Sequence, residues 1–200
     1  MHARLRVGVV GVAFQHPLHA GEGGQRVLRD AAEIEPGLGV AAVGGYGLDE
    51  ELMDRMIRQG TYWCPTIYVG VYVAEGRAAA GAPIWLEMRD LEAKAFAVAV
   101  RKGVKIAYGT DAGGFAWTVN EAKEFNYMVR YGMTPMQAIQ SATLTAADLL
   151  ERSADMGAIE AGKYADIVAT TGDPLKDITE LERIRFVMKG GEIVRNEIGR

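Results

Sequence analysis

Histidine is almost missing from this chain of 200 residues: it occurs at positions 2, 16 and 19 and nowhere afterwards. Zinc ordinarily takes three or four protein ligands, so a histidine-rich metal site cannot be assembled from the sequence beyond residue 19. Cysteine is scarcer still. Cys64 is the single thiol, which rules out an intrachain disulfide. It lies in an apolar stretch, where a buried structural thiol is expected rather than a nucleophile. Positive charge is not in excess either, with 22 Lys and Arg against 26 Asp and Glu and a net charge of -4. Scattered basic residues on a mildly acidic chain leave no electrostatic footprint for nucleic acid. Long apolar runs are absent as well. Val7 to Phe14 is too short to span a bilayer and lacks a small-residue cleavage site, so a cytoplasmic protein with no membrane partner is expected. Gly21-Glu22-Gly23-Gly24 lacks both the glycine spacing and the Lys-Ser/Thr of a phosphate-binding loop.

What is present centres on residues 103–114. Val104, Ile106 and Tyr108 alternate with Lys105 and Ala107 between two glycines, which predicts a short strand. Thr110, Asp111 and a glycine pair follow. In α/β chains ligands meet the protein at the carboxyl ends of strands, so Asp111 is the leading candidate for a base or a metal ligand. The competing reading is that Asp111 only shapes a turn, since Asp-Ala-Gly is an ordinary turn sequence.

Around this strand the chain alternates. Leu5 to Phe14 and Leu38 to Val43 are strand candidates weakened by glycine, with a short helix over Gln25 to Glu33 between them. Asp49 caps a helix carrying Leu52, Met53, Met56 and Ile57 up to Gly60. Tyr62 to Val73 begins as a strand in which Pro65 forbids one ladder bond, and parallel pairing of Tyr62–Tyr68 with Val104–Tyr108 is expected. Pro83 opens a helix over 84–102 with Leu86, Leu91, Ala95 and Val98 inward. A helix over 120–131 follows, with Glu121, Lys123 and Glu124 read as a solvated face. Thr134, Pro135 and Gln137 form a capping-box start, and a further helix covers 146–150. Beyond residue 150 only short strands are expected, over 156–160, 165–170, 184–188 and 192–195, with a hairpin at Lys189-Gly190-Gly191. The pattern is an α/β layer followed by a small β appendage. Trp63, Trp85 and Trp117 are read as packing residues, Trp117 also as a candidate ligand contact.

Three stretches carry a resemblance. They are Tyr108-Gly-Thr-Asp111-Ala-Gly, the run Gly132 to Ala147, and Gly157 to Val168 together with Val187-Met-Lys-Gly-Gly191. In this order they resemble the amidohydrolase family, and within it imidazolonepropionases and metal-dependent Xaa-Pro dipeptidases. The resemblance implies the second half of a TIM-type (β/α)8 barrel over 1–152, with residues 1–45 divergent, and a small β domain segment over 153–200. It also implies a divalent metal, zinc or manganese, whose hydroxide attacks a carbonyl or amidine carbon. The strand-eight aspartate takes the proton and passes it to the leaving nitrogen. Asp111 matches that aspartate as catalytic residue and metal ligand. His19 is the best match for the strand-five histidine ligand, and His16 a weaker one.

Departures accompany these matches. Nothing resembles strands one to four with their paired histidines and bridging lysine, and Gly44 stands where the family has its strand-six histidine. Two readings follow from the resemblance. One is a hydrolase of carbon–nitrogen bonds in a small-molecule amide, cyclic amide or Xaa-Pro dipeptide. The other is a truncated, catalytically inactive fragment, or one half of a split amidohydrolase. A half barrel would leave Ile67, Val104 and Ile106 on an open sheet face, so a homo-oligomer or a complementary half is the expected partner.

Overall fold

Helix ends are the clearest local signals in the chain, and they set its frame. The computed structural model describes residues 47–198. Asp49 caps helix α1 (Glu50–Gln59) by accepting a 2.8 Å bond from the Leu52 amide, and Gly60 ends it in the left-handed region. Strand β1 (Tyr62–Trp63) follows, then helices α2 (Ile67–Ala79) and α3 (Ile84–Lys102), strand β2 (Lys105–Ile106) and helix α4 (Lys123–Arg130). Helices α5 (Pro135–Ala142) and α6 (Leu144–Leu149) complete this part. Strands β3 (Ile167–Ala169), β4 (Phe186–Lys189) and β5 (Glu192–Asn196) close the chain, with a 3-10 turn over Ile178–Arg183 before β4.

β1 and β2 pair in parallel, Tyr62 opposite Lys105 and Trp63 opposite Ile106, as the alternation pattern predicts. The strand expected over 62–73 is only its first two residues. Pro65 breaks the ladder, Thr66 turns through the left-handed region at φ 48, and the β-branched run that follows is helical. Ile67, Val71 and Ala74 fall on one face of α2 and are buried there, so tertiary packing overrides their strand propensity. Gly70 permits the close approach of α3: a Cβ there would stand 2.6 Å from Glu92 Oε2. On α3, Ala95 and Val98 pack against the core as expected, but the buried positions are Glu92, Phe96 and Ala99, and Leu91 is 50% exposed.

β3, β4 and β5 form a separate antiparallel sheet in that order. The hairpin between β4 and β5 turns at Gly190 and Gly191, both at positive φ. No strand forms over 156–160. Neither sheet is closed among the described residues, and no helix among them is long and apolar enough to cross a membrane.

One core runs between β1–β2 and the helices. Trp63, Phe96, Met53, Met56, Ile67 and Met128 are its largest fully buried members, with the Trp63 and Phe96 rings 5.8 Å apart. Ile67, Val104 and Ile106 belong to this core. The chain's own helices cover them, so they are not the open sheet face that the half-barrel reading assigned to a partner. The capping box of α5 is complete: Thr134 Oγ1 accepts from the Gln137 amide, and Gln137 Oε1 accepts from the Thr134 amide. Replacing Thr134 with Ala should lower unfolding free energy by about 1 kcal/mol, read as a shift of the denaturant midpoint at unchanged slope.

Candidate active site

The site grows from the two turns that leave the carboxyl ends of β1 and β2. After β1 the chain runs Cys64, Pro65, Thr66 and enters α2. After β2 it runs Ala107, Tyr108, Gly109, Thr110 and Asp111. The ladder continues one bond further, from the Ala107 amide to the Trp63 carbonyl at 2.9 Å. The two turns then press together at Gly109. A Cβ built on Gly109 would overlap the Cys64 Sγ and stand 3.8 Å from the Thr66 methyl. Both turns hold a non-glycine residue in the left-handed region, Thr66 at φ 48 and Asp111 at φ 51. Such backbone costs on the order of 1–3 kcal/mol per residue and concentrates at functional sites.

Asp111 is exposed, and its carboxylate makes no hydrogen bond or ion pair with another described residue. Its carbonyl accepts a 3.0 Å bond from the Gly114 amide, so it shapes the turn through its backbone. Beneath it lies Tyr108, whose hydroxyl donates to the Glu121 carbonyl at 2.9 Å and whose ring stacks on Phe125 at 4.3 Å. Burial lifts the Tyr108 phenol well above its usual range.

Glu124 is the residue that sequence reasoning placed wrongly. It does not face solvent: it is 0% exposed. Its Oε1 accepts from the Ile67 amide at 2.9 Å and its Oε2 from the Tyr68 amide at 2.7 Å. These are the first amides of α2, which Thr66 leaves without a side-chain cap. Burial pushes the Glu124 carboxyl up to about 8, against the two amide bonds that hold it down. One signal in the sequence pointed inward. Glu124 stands one turn before Met128 and beside Phe125, on the apolar stripe of α4.

The family's metal can be tested against these side chains. Burial pushes the Cys64 thiol up to about 11, far from the thiolate a metal needs. Both Glu124 oxygens already accept amides. Among the described residues no group of three or more His, Cys, Asp or Glu side chains is placed to hold a metal ion. Asp111 with its described neighbours therefore does not fit a metal. His19, like His16 and Gly44, lies outside the described residues. Trp117, on the loop after Asp111, is 75% exposed, so it is not a packing residue; Phe115 anchors that loop instead, edge-on to Tyr68 at 5.2 Å.

Two measurements check this geometry. Gly109→Ala should destabilise the chain by about 1–3 kcal/mol through the overlap with Cys64. Cys64→Ala in the same chain should recover most of the loss, because the nearest remaining Cys64 atom is its Cβ at 4.0 Å. The second concerns pH. A folded carboxyl at about 8, against 4.5 for the free group, binds its proton more tightly than the unfolded chain does. Its stabilisation is fully present below about 4.5 and is lost as pH rises through about 8, with a slope of at most about 1.4 kcal/mol per pH unit. Cys64 titrates above this window in both states. Glu124→Gln should flatten the stability profile between these limits.

Relatives place this geometry in a known context. Residues 50–194 match the profile of the amidohydrolase family. Ochratoxinase of Aspergillus niger is 31% identical over 156 residues, covering 74% of this chain and 32% of its own length. Adenine deaminase 2 of Rhizobium johnstonii is 48% identical over 67 residues, 34% of this chain and 10% of its own. A crystal structure of a Xaa-Pro dipeptidase with bound methionine superposes with a TM-score of 0.72 at 41% identity, over 79% of this chain and 40% of that one. The chain thus spans about a third to two fifths of the ochratoxinase and the dipeptidase. The profile match covers well over half of its residues, and the turns at Cys64 and Asp111 lie within it: the chain belongs to the amidohydrolase family.

Proposed function

We propose that this chain carries the Asp111 portion of an amidohydrolase site for carbon–nitrogen bond hydrolysis, and that by itself it is catalytically silent. The proposal is the split or truncated reading, with the second half of a (β/α)8 barrel as its scaffold and the small antiparallel sheet as a β domain segment. The carrying observation is the isolation of Asp111. It stands exposed at the end of the parallel pair with no side-chain bond to another described residue, while Cys64 and Glu124 behind it are committed to packing and to amides. In a completed site, Asp111 would take a proton from the attacking water and deliver it to the leaving nitrogen, which departs as an amine while the carbonyl side leaves as the acid. The names of the relatives include a dipeptidase, a deaminase and an ochratoxinase. The shared segment therefore fits a role in proton transfer common to them, with the choice of amide, cyclic amide or dipeptide made elsewhere.

The purified chain, offered Xaa-Pro dipeptides and N-acyl amino acids with zinc or manganese, should show no turnover and no stoichiometric metal. Supplied with the amino-terminal portion of the Xaa-Pro dipeptidase as a separate polypeptide, it should gain hydrolysis that Asp111→Asn lowers by about 100-fold or more. Stoichiometric metal and turnover in the chain alone, both lost in Asp111→Asn, would overturn the silent half in favour of a self-sufficient hydrolase.

A further inference from the structure

The connection between Glu124 and Asp111 runs through a short series of contacts. Glu124, on α4, reaches across to the amides of Ile67 and Tyr68, 57 and 56 residues away in sequence. Those amides open α2 directly after Thr66, whose left-handed backbone has no side-chain cap to hold it. Thr66 and Cys64 in turn bear on Gly109, where no side chain larger than hydrogen fits beside the thiol. Two residues on, Asp111 adopts its own left-handed conformation. A strained turn persists only when its surroundings over-determine it, and the buried Glu124 carboxyl, accepting from both amides, supplies that restraint.

We propose that Glu124 is a positioning residue: by bonding the first two amides of α2 it fixes the β1–α2 turn against Gly109, and so sets where Asp111 stands. The proposal rests on Asp111 being the reacting carboxylate, but its geometry can be tested without turnover. Other charged groups around Glu124 do not substitute for it. Glu92, on α3, approaches from the Gly70 side and carries the same sign of charge. Lys123 directs its ammonium to the Tyr68 hydroxyl at 3.5 Å and over that ring. Cys64 and Tyr108 are the remaining titratable neighbours, and both are neutral at pH 7.

The test is amide and carboxyl NMR of the full chain, with hydrogen exchange, in wild type, Glu124→Ala and Glu124→Gln. Glu124→Ala should lower exchange protection of the Ile67 and Tyr68 amides by at least about tenfold. It should also shift the Gly109 to Gly113 amide signals and the Asp111 carboxyl signal, while β3–β5 stays unchanged. Glu124→Gln keeps one acceptor oxygen and turns an NH2 toward the other amide, so it should restore one of the two protections and an intermediate Asp111 signal. If Glu124→Ala does not fold, the Gln variant alone carries the test. Lost protection at Ile67 and Tyr68 with the Gly109 to Gly113 amide signals and the Asp111 carboxyl signal unmoved would overturn the proposal, leaving Glu124 as a helix cap only. In the reconstituted hydrolase, Glu124→Gln should lower kcat with KM unchanged. A rise in KM at unchanged kcat would reject the positioning role. Absence of any reconstituted turnover would reject the hydrolase reading and leave the NMR result standing.

Discussion

A carboxyl without solvent contact needs partners for both oxygens, and Glu124 finds two amides at the start of α2 yet, raised to about 8, still holds its proton in most molecules at pH 7. Removing a carboxylate from water costs several kcal/mol. Two amide donors and the positive end of a 13-residue helix return part of it. The compromise is visible in the carboxyl's upward displacement, which the amides limit without cancelling. The arrangement joins α4 to the β1–α2 turn across the top of a parallel pair that is only two residues long. So short a ladder cannot hold two turns in register by its own hydrogen bonds. The helices behind it and the carboxylate above it do so.

Much of this was legible in the sequence where the determinants are local. The caps at Asp49, Thr134 and Gly60, the β4–β5 hairpin at Gly190-Gly191 and the alternation around Val104 and Ile106 depend on neighbours a few residues away. The run from Ile67 to Val73 was misread because β-branched residues favour strands in general, whereas here burial on both sides of α2 decides. Leu91 was misassigned for a related reason: α3 turns the charged Glu92 inward, against the polarity rule, because Gly70 opens space for it. Glu124 was invisible to charge patterning. Its partners are backbone amides far along the chain, and an amide carries no mark in the sequence. Asp111 could be singled out because its spacing from a strand end is a local property, while its isolation is a property of the fold.

The opposite end of the parallel pair shows how differently a polar cluster behaves when water reaches it. There Lys105 lies over the Tyr62 ring at 4.6 Å, within 3.1 Å of its hydroxyl, and that hydroxyl donates to Asp148. Lys105 and Asp148 are both about half exposed, so their attraction is screened and adds little to stability. They border a groove of about 510 Å³ that also takes in Met133, Gln137 and Leu144. The two ends of one small sheet thus hold polar groups under different regimes: surface chemistry at Lys105, and desolvated, direction-specific bonding at Glu124.

The wedge of Cys64 against Gly109 has a consequence for how copies of this chain can meet. A thiol pushed up to about 11 holds almost no thiolate at neutral pH, and the thiolate is the species that alkylates, oxidises and exchanges. Cys64 is the single thiol of the chain, so no intrachain disulfide can tie its two turns together. A disulfide to another copy or to a complementary polypeptide would have to start from this poorly ionised thiol, wedged against Gly109, and is disfavoured. Non-covalent assembly, by contrast, strengthens with concentration by mass action.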